Sequence, residues 1–258
     1  MSESPNPRPT TDAQTIDPTL FEPTIEEGVL RLRRPGTRWL SGGWNGGEYE
    51  GPAAYSVSVP EGWSCEDVEG YVDDRLAAAG FEDPGPTLIT GVDHEHVRGA
   101  RCGPAEAYAT AGVSNPAALP MTPDGDPDPD GENLPDGEPV AGTVNVVVGT
   151  TRSLAPGALA NLLSVAAEAK AATLLARTGF PGTTSDAVIA AADPDGEPAR
   201  FSGSATRVGA AARACVRDAV YAALRSRYEN DRDAAVPGSV EDAAYGVSTD
   251  VRGRVFEL

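Results

Sequence analysis

Hydrophobic and polar residues alternate with different periods in the two halves of the chain. Ahead of residue 114, short runs rich in β-branched and apolar residues are bounded by Gly and Pro, which predicts strands. These runs cover residues 28–34, 53–59, 86–92, 95–101 and 105–113, with one helix predicted over residues 65–80. Beyond residue 140, the predicted order is a strand over 143–149, a helix from about Leu154 to Arg177, a strand over 186–191, a helix from about Thr206 to Tyr228 and a closing strand over 252–258.

This order predicts a mixed α and β fold, with helices packed in a layer on a mixed sheet. The N-terminal half is expected to be β-rich, and the C-terminal half to follow a β-α-β-α order. Residues 1–22 are polar and rich in Pro and Thr, which predicts a flexible tail. Residues 23–258 are then expected to form a single domain.

An acidic loop is predicted within that domain at about residues 114–140. Pro, Gly and Asp are too dense there for a helix or a strand. The carboxylates alternate at Asp124, Asp126, Asp128 and Asp130, so a Ca²⁺ or Mg²⁺ site is an alternative to a solvated insertion. The intervening prolines do not match an EF-hand.

The helix predicted from Leu154 to Arg177 carries the least expected side chain of the chain, that of Lys170. A helical wheel places six apolar residues on one broad face: Leu159, Leu162, Leu163, Ala166, Ala169 and Leu174. Lys170 lies in the middle of that face. Asn161, Ser164 and Glu168 form a narrow polar stripe on the opposite side.

A buried ammonium is costly unless it is paired, so Lys170 is expected to have a carboxylate, a backbone carbonyl or a ligand as partner. Glu168 cannot supply that carboxylate, because residues two apart on a helix point to opposite sides. Reaching to the domain edge or a purely structural ion pair remain alternatives. Against them, Lys170 is the only lysine among the 20 Lys and Arg residues, which indicates a specific need for a compact ammonium.

Charge and composition narrow the range of partners. A formal net charge of -19 argues against nucleic acid and anionic membrane surfaces. The acidic excess and the near-total use of Arg in place of Lys are typical of proteins from extreme halophiles, although a GC-rich genome would also favour Arg. The chain shows neither an apolar leader nor about 18 uninterrupted apolar residues, so a soluble, cytoplasmic protein is expected. Its three cysteines suggest neither a disulfide framework nor a zinc cluster.

Four glycine-rich turns combine hydroxyl, amide and carboxylate side chains with backbone that can approach a ligand closely. They cover residues 41–47, 110–115, 182–188 and 201–209, and none fits a nucleotide-binding, α/β-hydrolase or zinc-protease motif. His94 and His96 are the only histidines, and on a strand they would share one face. A metal site or a Ser-His-Asp triad built on them remains an alternative without a second motif to support it.

Taken in order, six short motifs resemble the adenosylcobinamide amidohydrolase family of corrinoid salvage. They are NGG at 45–47, TAGVSN at 110–115, GTVN at 142–145, EAK at 168–170, GTTSD at 182–186 and SGSATRVG at 202–209. The resemblance covers roughly Gly28 to Tyr228, interrupted by the acidic loop. Two motifs depart from the family pattern: Ala167 stands where a Thr is expected, and Thr184 and Ser185 stand in a run expected to read Gly-Thr-Gly-Thr-Asp.

The resemblance implies hydrolysis of the amide that joins the aminopropanol arm to the corrin ring of adenosylcobinamide. The corrinoid is then the substrate, and neither a separate cofactor nor a metal is expected. The implied catalytic residues are Asn45, Glu168, Lys170 and Asp186, and the implied substrate-binding residues are Gly46, Gly47, Thr110, Asn115, Asn145, Thr183, Thr184, Ser185 and Thr206.

Several mechanisms remain open for these residues. Glu168 or Asp186 could activate water, and Asn45, the amides of the NGG turn or Lys170 could face the oxyanion. Lys170 could instead protonate the leaving amine, and a covalent route could use Thr184, Ser185 or Thr206. A corrinoid carrier without catalysis and a hydrolase of another amide are the competing functions. The sequence leaves open whether the chain forms a homo-oligomer.

Overall fold

The computed structural model describes residues 19–60, 63–128, 131–132, 134, 143–229 and 235–258. Eight strands form the main sheet: β1 (Glu22–Glu26), β2 (Val29–Ser41), β3 (Gly47–Ser58), β4 (Thr87–Thr90), β5 (Arg98–Cys102), β6 (Ala105–Ala111), β8 (Val144–Leu154) and β10 (Ala187–Ala199). A second, small sheet contains β7 (Pro116–Ala118), β9 (Gly182–Thr183) and β11 (Val247–Ser248). The helices are α1 (Val68–Ala78), α2 (Pro156–Thr178) and α3 (Arg207–Tyr228). The predicted mixed α and β fold is confirmed.

The main sheet runs in the order β4-β3-β2-β10-β8-β6-β5, with β1 also paired to β2. β8 and β10 are parallel, in a register that places Asn145 opposite Ala187, and α2 connects them. The other neighbours of this pair, β2 and β6, are antiparallel to it. The starts of β8 and β10 therefore lie at one end of the sheet, beside the C-terminal half of α2.

Helices α2 and α3 lie side by side and run in the same direction on one face of the sheet. Three contacts fix that arrangement: Ser202 Oγ donates to the Ala158 carbonyl, Arg213 pairs with Glu168, and Arg177 stacks on Tyr221. Both helices bury their apolar side chains against β6, β8 and β10 in the largest hydrophobic cluster. α2 is long and apolar enough to cross a membrane, but half of its most apolar window is buried inside the fold, as in the core helix of a soluble protein.

The sheet bends so that β4 lies across β6 and β8. Two contacts span this bend: Asn145 Nδ2 donates to the Ile89 carbonyl at 2.8 Å, and the Thr90 and Thr110 hydroxyls are 3.3 Å apart. A second hydrophobic cluster, which includes Trp39 of β2, fills the space inside the bend. α1 contributes to a third cluster on the outer face of β2 and β3. The result is a layered fold with helices outside and sheet inside.

The ordered fold begins before the predicted limit at residue 22. Leu20 and Phe21 are buried, and the Leu20 N–H donates to the Glu106 carboxylate at 2.9 Å. Phe21 stacks on Trp39, and it reaches its site because Gly149 has no Cβ, which would lie 2.4 Å from the Phe21 ring. Residues 1–18, where the flexible tail is predicted, lie outside the described residues.

The predicted loop at 114–140 begins with an unexpected strand. Asn115 is fully buried, and Pro116–Ala118 forms β7, which pairs with β9 and β11. The prediction of no strand was wrong here because proline is tolerated as the first residue of a strand. Of the alternating carboxylates, Asp130 lies outside the described residues.

The predicted closing strand over 252–258 is also wrong. After α3, the chain pairs with the small sheet through β11, and Arg252 makes one further bridge to Pro127. Val255, Phe256 and Leu258 are exposed and join no strand. Strand propensity alone does not form a strand where no partner edge is available, since pairing supplies most of its stability.

Candidate active site

Lys170 and Asp186 form a buried ion pair at the end of the sheet where β8 and β10 begin. Lys170 lies on the inner face of α2, Asp186 immediately precedes β10, and both side chains are only 9% exposed. The Asp186 carboxylate also accepts from the Val144 N–H at 2.8 Å, the Thr183 N–H at 3.1 Å and the Thr183 hydroxyl. The carboxylate partner expected for Lys170 is therefore Asp186.

The two partners of this pair differ in what they can still bind. Four donors occupy the Asp186 carboxylate, about as many as a carboxylate accepts, so it has little capacity left to take a proton from water. The Lys170 ammonium has three N–H groups, and within the described part of the chain only Asp186 accepts from it. Two N–H groups of this buried cation therefore have no acceptor among the described residues.

Two half-buried hydroxyls lie next to Asp186 in the chain. The amide of Asn115 donates to Thr184 Oγ1 at 2.7 Å and to Ser185 Oγ at 3.3 Å, while the Thr184 N–H donates to the Asn115 carbonyl at 3.1 Å. The fully buried Asn115 is held because β7, which follows it, pairs with β9. The predicted residues Asn115, Thr183, Thr184, Ser185, Lys170 and Asp186 are therefore brought together.

Asn145 and Thr110, which are also predicted to bind substrate, make contacts that hold the strands of the sheet together. Asn145 Oδ1 accepts from the Ala187 N–H at 3.1 Å and lies 3.2 Å from the Thr143 hydroxyl oxygen, and its Nδ2 donates to β4 as described above. Thr143 donates to the Ser185 carbonyl at 2.6 Å, so it braces the turn that carries the hydroxyls. Sequence reasoning missed Thr143, although it lies inside the GTVN motif.

The hairpin that joins β2 to β3 borders the same end of the sheet. The Gly42 N–H donates to the Val188 carbonyl at 2.9 Å, and a Cβ on Gly43 would lie 3.5 Å from that of Ala187. Asn45 adopts a left-handed conformation (φ 48°) at the exposed tip, where the Tyr49 hydroxyl donates to its carbonyl. The hairpin that carries Asn45, Gly46 and Gly47 therefore lies close to the start of β10, and the roles implied for these three residues stay a prediction.

Two predicted residues lie elsewhere. Glu168 points to solvent on α2, where its carboxylate is 3.0 Å from the Arg213 guanidinium, and the structure does not bring it to Lys170. Thr206 caps α3 by accepting from the Gly209 N–H at 3.0 Å. The α3 cap lies near Ala158, which is twelve residues and thus about 18 Å along the α2 axis from Lys170.

The two histidines form separate contacts instead of a shared site. They lie in a single 3₁₀ turn, not on a strand, so they do not share a face. His94 Nε2 is 3.0 Å from Ser56 Oγ, and His96 Nδ1 is 3.1 Å from Ser226 Oγ. Burial lowers the pKa of His94 to about 4. Among the described residues, no group of three or more His, Cys, Asp or Glu side chains is placed to hold a metal ion.

Comparison with known proteins identifies relatives over most of the chain. The family model described as adenosylcobinamide amidohydrolase matches residues 17–232. A protein of that name from Halobacterium salinarum is 59% identical over 239 residues, which cover 92% of this chain and 99% of the relative. Another from Methanosarcina mazei is 26% identical over 200 residues, covering 74% of this chain and 91% of the relative.

Similarity to solved structures is weak. A protein from Pyrococcus horikoshii OT3 aligns with a TM-score of 0.40 and 12% identity over 80% of this chain and 79% of its own. A Burkholderia β-aminopeptidase aligns with a TM-score of 0.37 and 15% identity over 78% of this chain and 80% of its own. Scores this low support no conclusion about this chain.

Proposed function

The chain belongs to the adenosylcobinamide amidohydrolase family, and we propose from this premise that it cleaves the amide between the corrin ring and the aminopropanol arm of adenosylcobinamide. The C–N bond breaks, the oxygen of water enters the new carboxylate, and the amine leaves with the proton it needs. The products are adenosylcobyric acid and aminopropanol. The corrinoid is substrate in this proposal, no separate cofactor takes part, and the reaction is cytoplasmic.

The observation that carries the site assignment is the buried ammonium of Lys170, with two N–H groups that no described residue accepts. A tetrahedral intermediate places negative charge on the former carbonyl oxygen. A preorganised donor in a desolvated site stabilises that charge more than water does. We assign this role to Lys170.

Asp186 acts as a positioning residue in this proposal. Its carboxylate is fixed by the backbone of β8 and β9 and by the Thr183 hydroxyl, so it holds the ammonium at one place at the start of β10. Removing it would leave the lysine both mobile and desolvated.

The Thr184 and Ser185 hydroxyls are proposed to contact the scissile amide. Asn115 donates to both oxygens, so each hydroxyl is oriented by a side chain that is fully buried. The Thr184 hydroxyl accepts this hydrogen bond and keeps a proton of its own that it can donate to the substrate. Asn45, Gly46 and Gly47 on the adjacent hairpin are proposed to contact the arm of the substrate.

Product analysis tests the function directly. The purified protein is incubated with adenosylcobinamide over a range of KCl concentrations. The corrinoid and amine products are then separated and identified by mass spectrometry. Release of aminopropanol with adenosylcobyric acid is expected. Bound but unchanged corrinoid would indicate a carrier, and a different amine would indicate another amide.

The matched variant for the site is Lys170→Arg, which keeps the charge but replaces a compact ammonium with a larger planar group. We expect it to fold, by circular dichroism, and to lose most of its turnover. Normal turnover by a folded Lys170→Arg protein would refute the role assigned to the lysine.

A further inference from the structure

The hairpin between β2 and β3, whose backbone borders the start of β10, carries Trp44 at its tip. Trp44 is 37% exposed at the hairpin tip, whereas Trp39 on the preceding strand is fully buried. The exposed third of Trp44 is apolar surface that the fold leaves uncovered, and burial of such surface is the main stabilising contribution of aromatic residues in soluble proteins. Trp44 is also absent from the three hydrophobic clusters that form the core.

The backbone around Trp44 is closely packed on both sides, which fixes where the ring is attached. A Cβ on Gly46 would lie 2.5 Å from the Ser41 carbonyl oxygen, and one on Gly43 would lie 2.6 Å from a methyl group of Leu88. Gly43 also packs against Ala187, the residue after Asp186. Since consecutive Cα atoms are about 3.8 Å apart, the Trp44 Cα lies within about 9 Å of the Ala187 side chain.

Adenosylcobinamide has few flat surfaces on which the Trp44 indole could stack. Both faces of the corrin ring are obstructed, because the cobalt has axial ligands and the ring edge carries amide side chains above and below. The adenine of the adenosyl ligand has a free outer face, and planar bases stack favourably on tryptophan. A substrate whose arm reaches Lys170 and the Thr184 hydroxyl would bring its bulk against the same end of the sheet.

We propose that Trp44 stacks on the adenine of the adenosyl ligand and is the residue through which the site recognises that group. This inference rests on the proposed function, because it assumes that the ligand is an adenosylated corrinoid. It makes Trp44 a specificity-determining residue that contributes to binding and takes no part in the bond cleavage.

Binding of the product tests this without depending on turnover. Adenosylcobyric acid and its dicyano counterpart, which lacks adenosine, are titrated calorimetrically into wild type, Trp44→Ala and Trp44→Phe. Trp44→Ala is expected to weaken the adenosyl compound about tenfold and to leave the dicyano compound within about twofold. Trp44→Phe should retain most of the affinity, and Phe201→Ala, which removes an exposed aromatic at the opposite end of α2, should change neither.

An equal loss for both compounds would place the ring against the corrin and overturn the adenine assignment. No loss for either would overturn the inference altogether. In turnover, Trp44→Ala should raise KM for adenosylcobinamide about tenfold with kcat within about twofold. If the wild type releases no aminopropanol, the proposed function fails, and the titrations still decide whether Trp44 reads the adenosyl group.

Discussion

The two ends of the α2 and α3 layer differ in how their polar groups are used. At the end where the helices begin, Thr206 caps α3 and Ser202 donates to the Ala158 carbonyl, so backbone groups satisfy these side chains. At the end where β8 and β10 begin, Lys170 and Asn115 are buried and bond to other side chains, those of Asp186 and Thr184. The polar side chains at the first end stabilise the starts of the helices, whereas those at the second end form the candidate active site.

This difference runs against a common rule. In open parallel sheets, ligands usually bind beyond the carboxyl ends of the strands, near the helix N-termini. Among the described strands, β8 and β10 are the only neighbouring parallel pair in the middle of the sheet, and their antiparallel neighbours β2 and β6 end where that pair begins. The loops after β2 and β6 carry the NGG and TAGVSN motifs, so they bring the glycine turns to the amino end.

The largest expected effect comes from breaking the ion pair. Lys170→Met leaves Asp186 buried without its cation, and breaking a buried pair costs about 3–5 kcal/mol of unfolding free energy. Turnover should fall at least about 100-fold, as for the loss of an oxyanion donor. Urea unfolding and aminopropanol release measure the two effects. A stable, active Lys170→Met protein would contradict the assignment of catalysis to the end of the sheet where β8 and β10 begin.

Removing one hydroxyl should have a smaller effect on stability than breaking the ion pair, and should act mainly on activity. Thr184→Val keeps the shape but removes the oxygen that accepts from Asn115. We expect kcat to fall about 100-fold, and stability to fall by about 1 kcal/mol since a buried donor loses its acceptor. Steady-state kinetics and urea unfolding test this, with Thr184→Ser as the control that restores the hydroxyl. Unchanged kcat would shift the substrate contact to Ser185.

Acidification should weaken the folded state through His94. Its pKa is about 4 in the folded protein, against 6.5 for the unperturbed side chain, so the unfolded chain binds the proton more readily between these values. Stability therefore falls as the pH drops from 6.5 towards 4, by about 2 kcal/mol at pH 5. Urea unfolding of wild type and His94→Gln at pH 7.5 and pH 5 measures the difference. Parallel pH profiles for the two proteins would contradict it.

At the opposite end, Thr206→Ala should cost about 1 kcal/mol of stability through the lost cap, with little change in kcat. Thermal unfolding and aminopropanol release report the two quantities. Restoring the cap with Thr206→Ser should recover most of the stability. A tenfold loss of kcat in a folded Thr206→Ala protein would bring this end into the reaction.

Glu168→Gln is expected to have the smallest effect. Its ion pair with Arg213 is exposed on both sides, and such pairs contribute less than about 1 kcal/mol. Both stability and turnover should stay close to wild type, with Arg213→Gln as the matched variant. A large fall in kcat for Glu168→Gln alone would restore the general base that the EAK motif implies.

The fold was predictable where a period ran long enough. The bounds of α2 and α3 lie within two residues of the predicted ones, and the apolar face of α2 contains Lys170 as the wheel indicated. β7 and β11 were missed because strands of two or three residues carry no period of their own and form only where a partner is present.

The sequence predicted which residues belong to the candidate site better than it predicted the contacts between them. The motifs named Lys170, Asp186, Thr184 and Asn115, yet spacing alone could not show that Asp186 is the partner of Lys170, since the contact depends on how α2 packs on β10. Glu168 and Lys170 share one motif but face opposite sides of α2. Trp44 carried no signal, because an isolated aromatic in a glycine turn looks the same whether it faces a ligand or solvent.

The solitary lysine also makes the protein its own chemical reporter. Because Lys170 carries the only side-chain amine and is 9% exposed in its ion pair, an amine-selective acylating reagent can reach a side chain only when this end of the sheet opens. The rate of acylation at Lys170, read by peptide mass spectrometry, would therefore count those openings. A bound corrinoid should slow it, and no engineered label would be required.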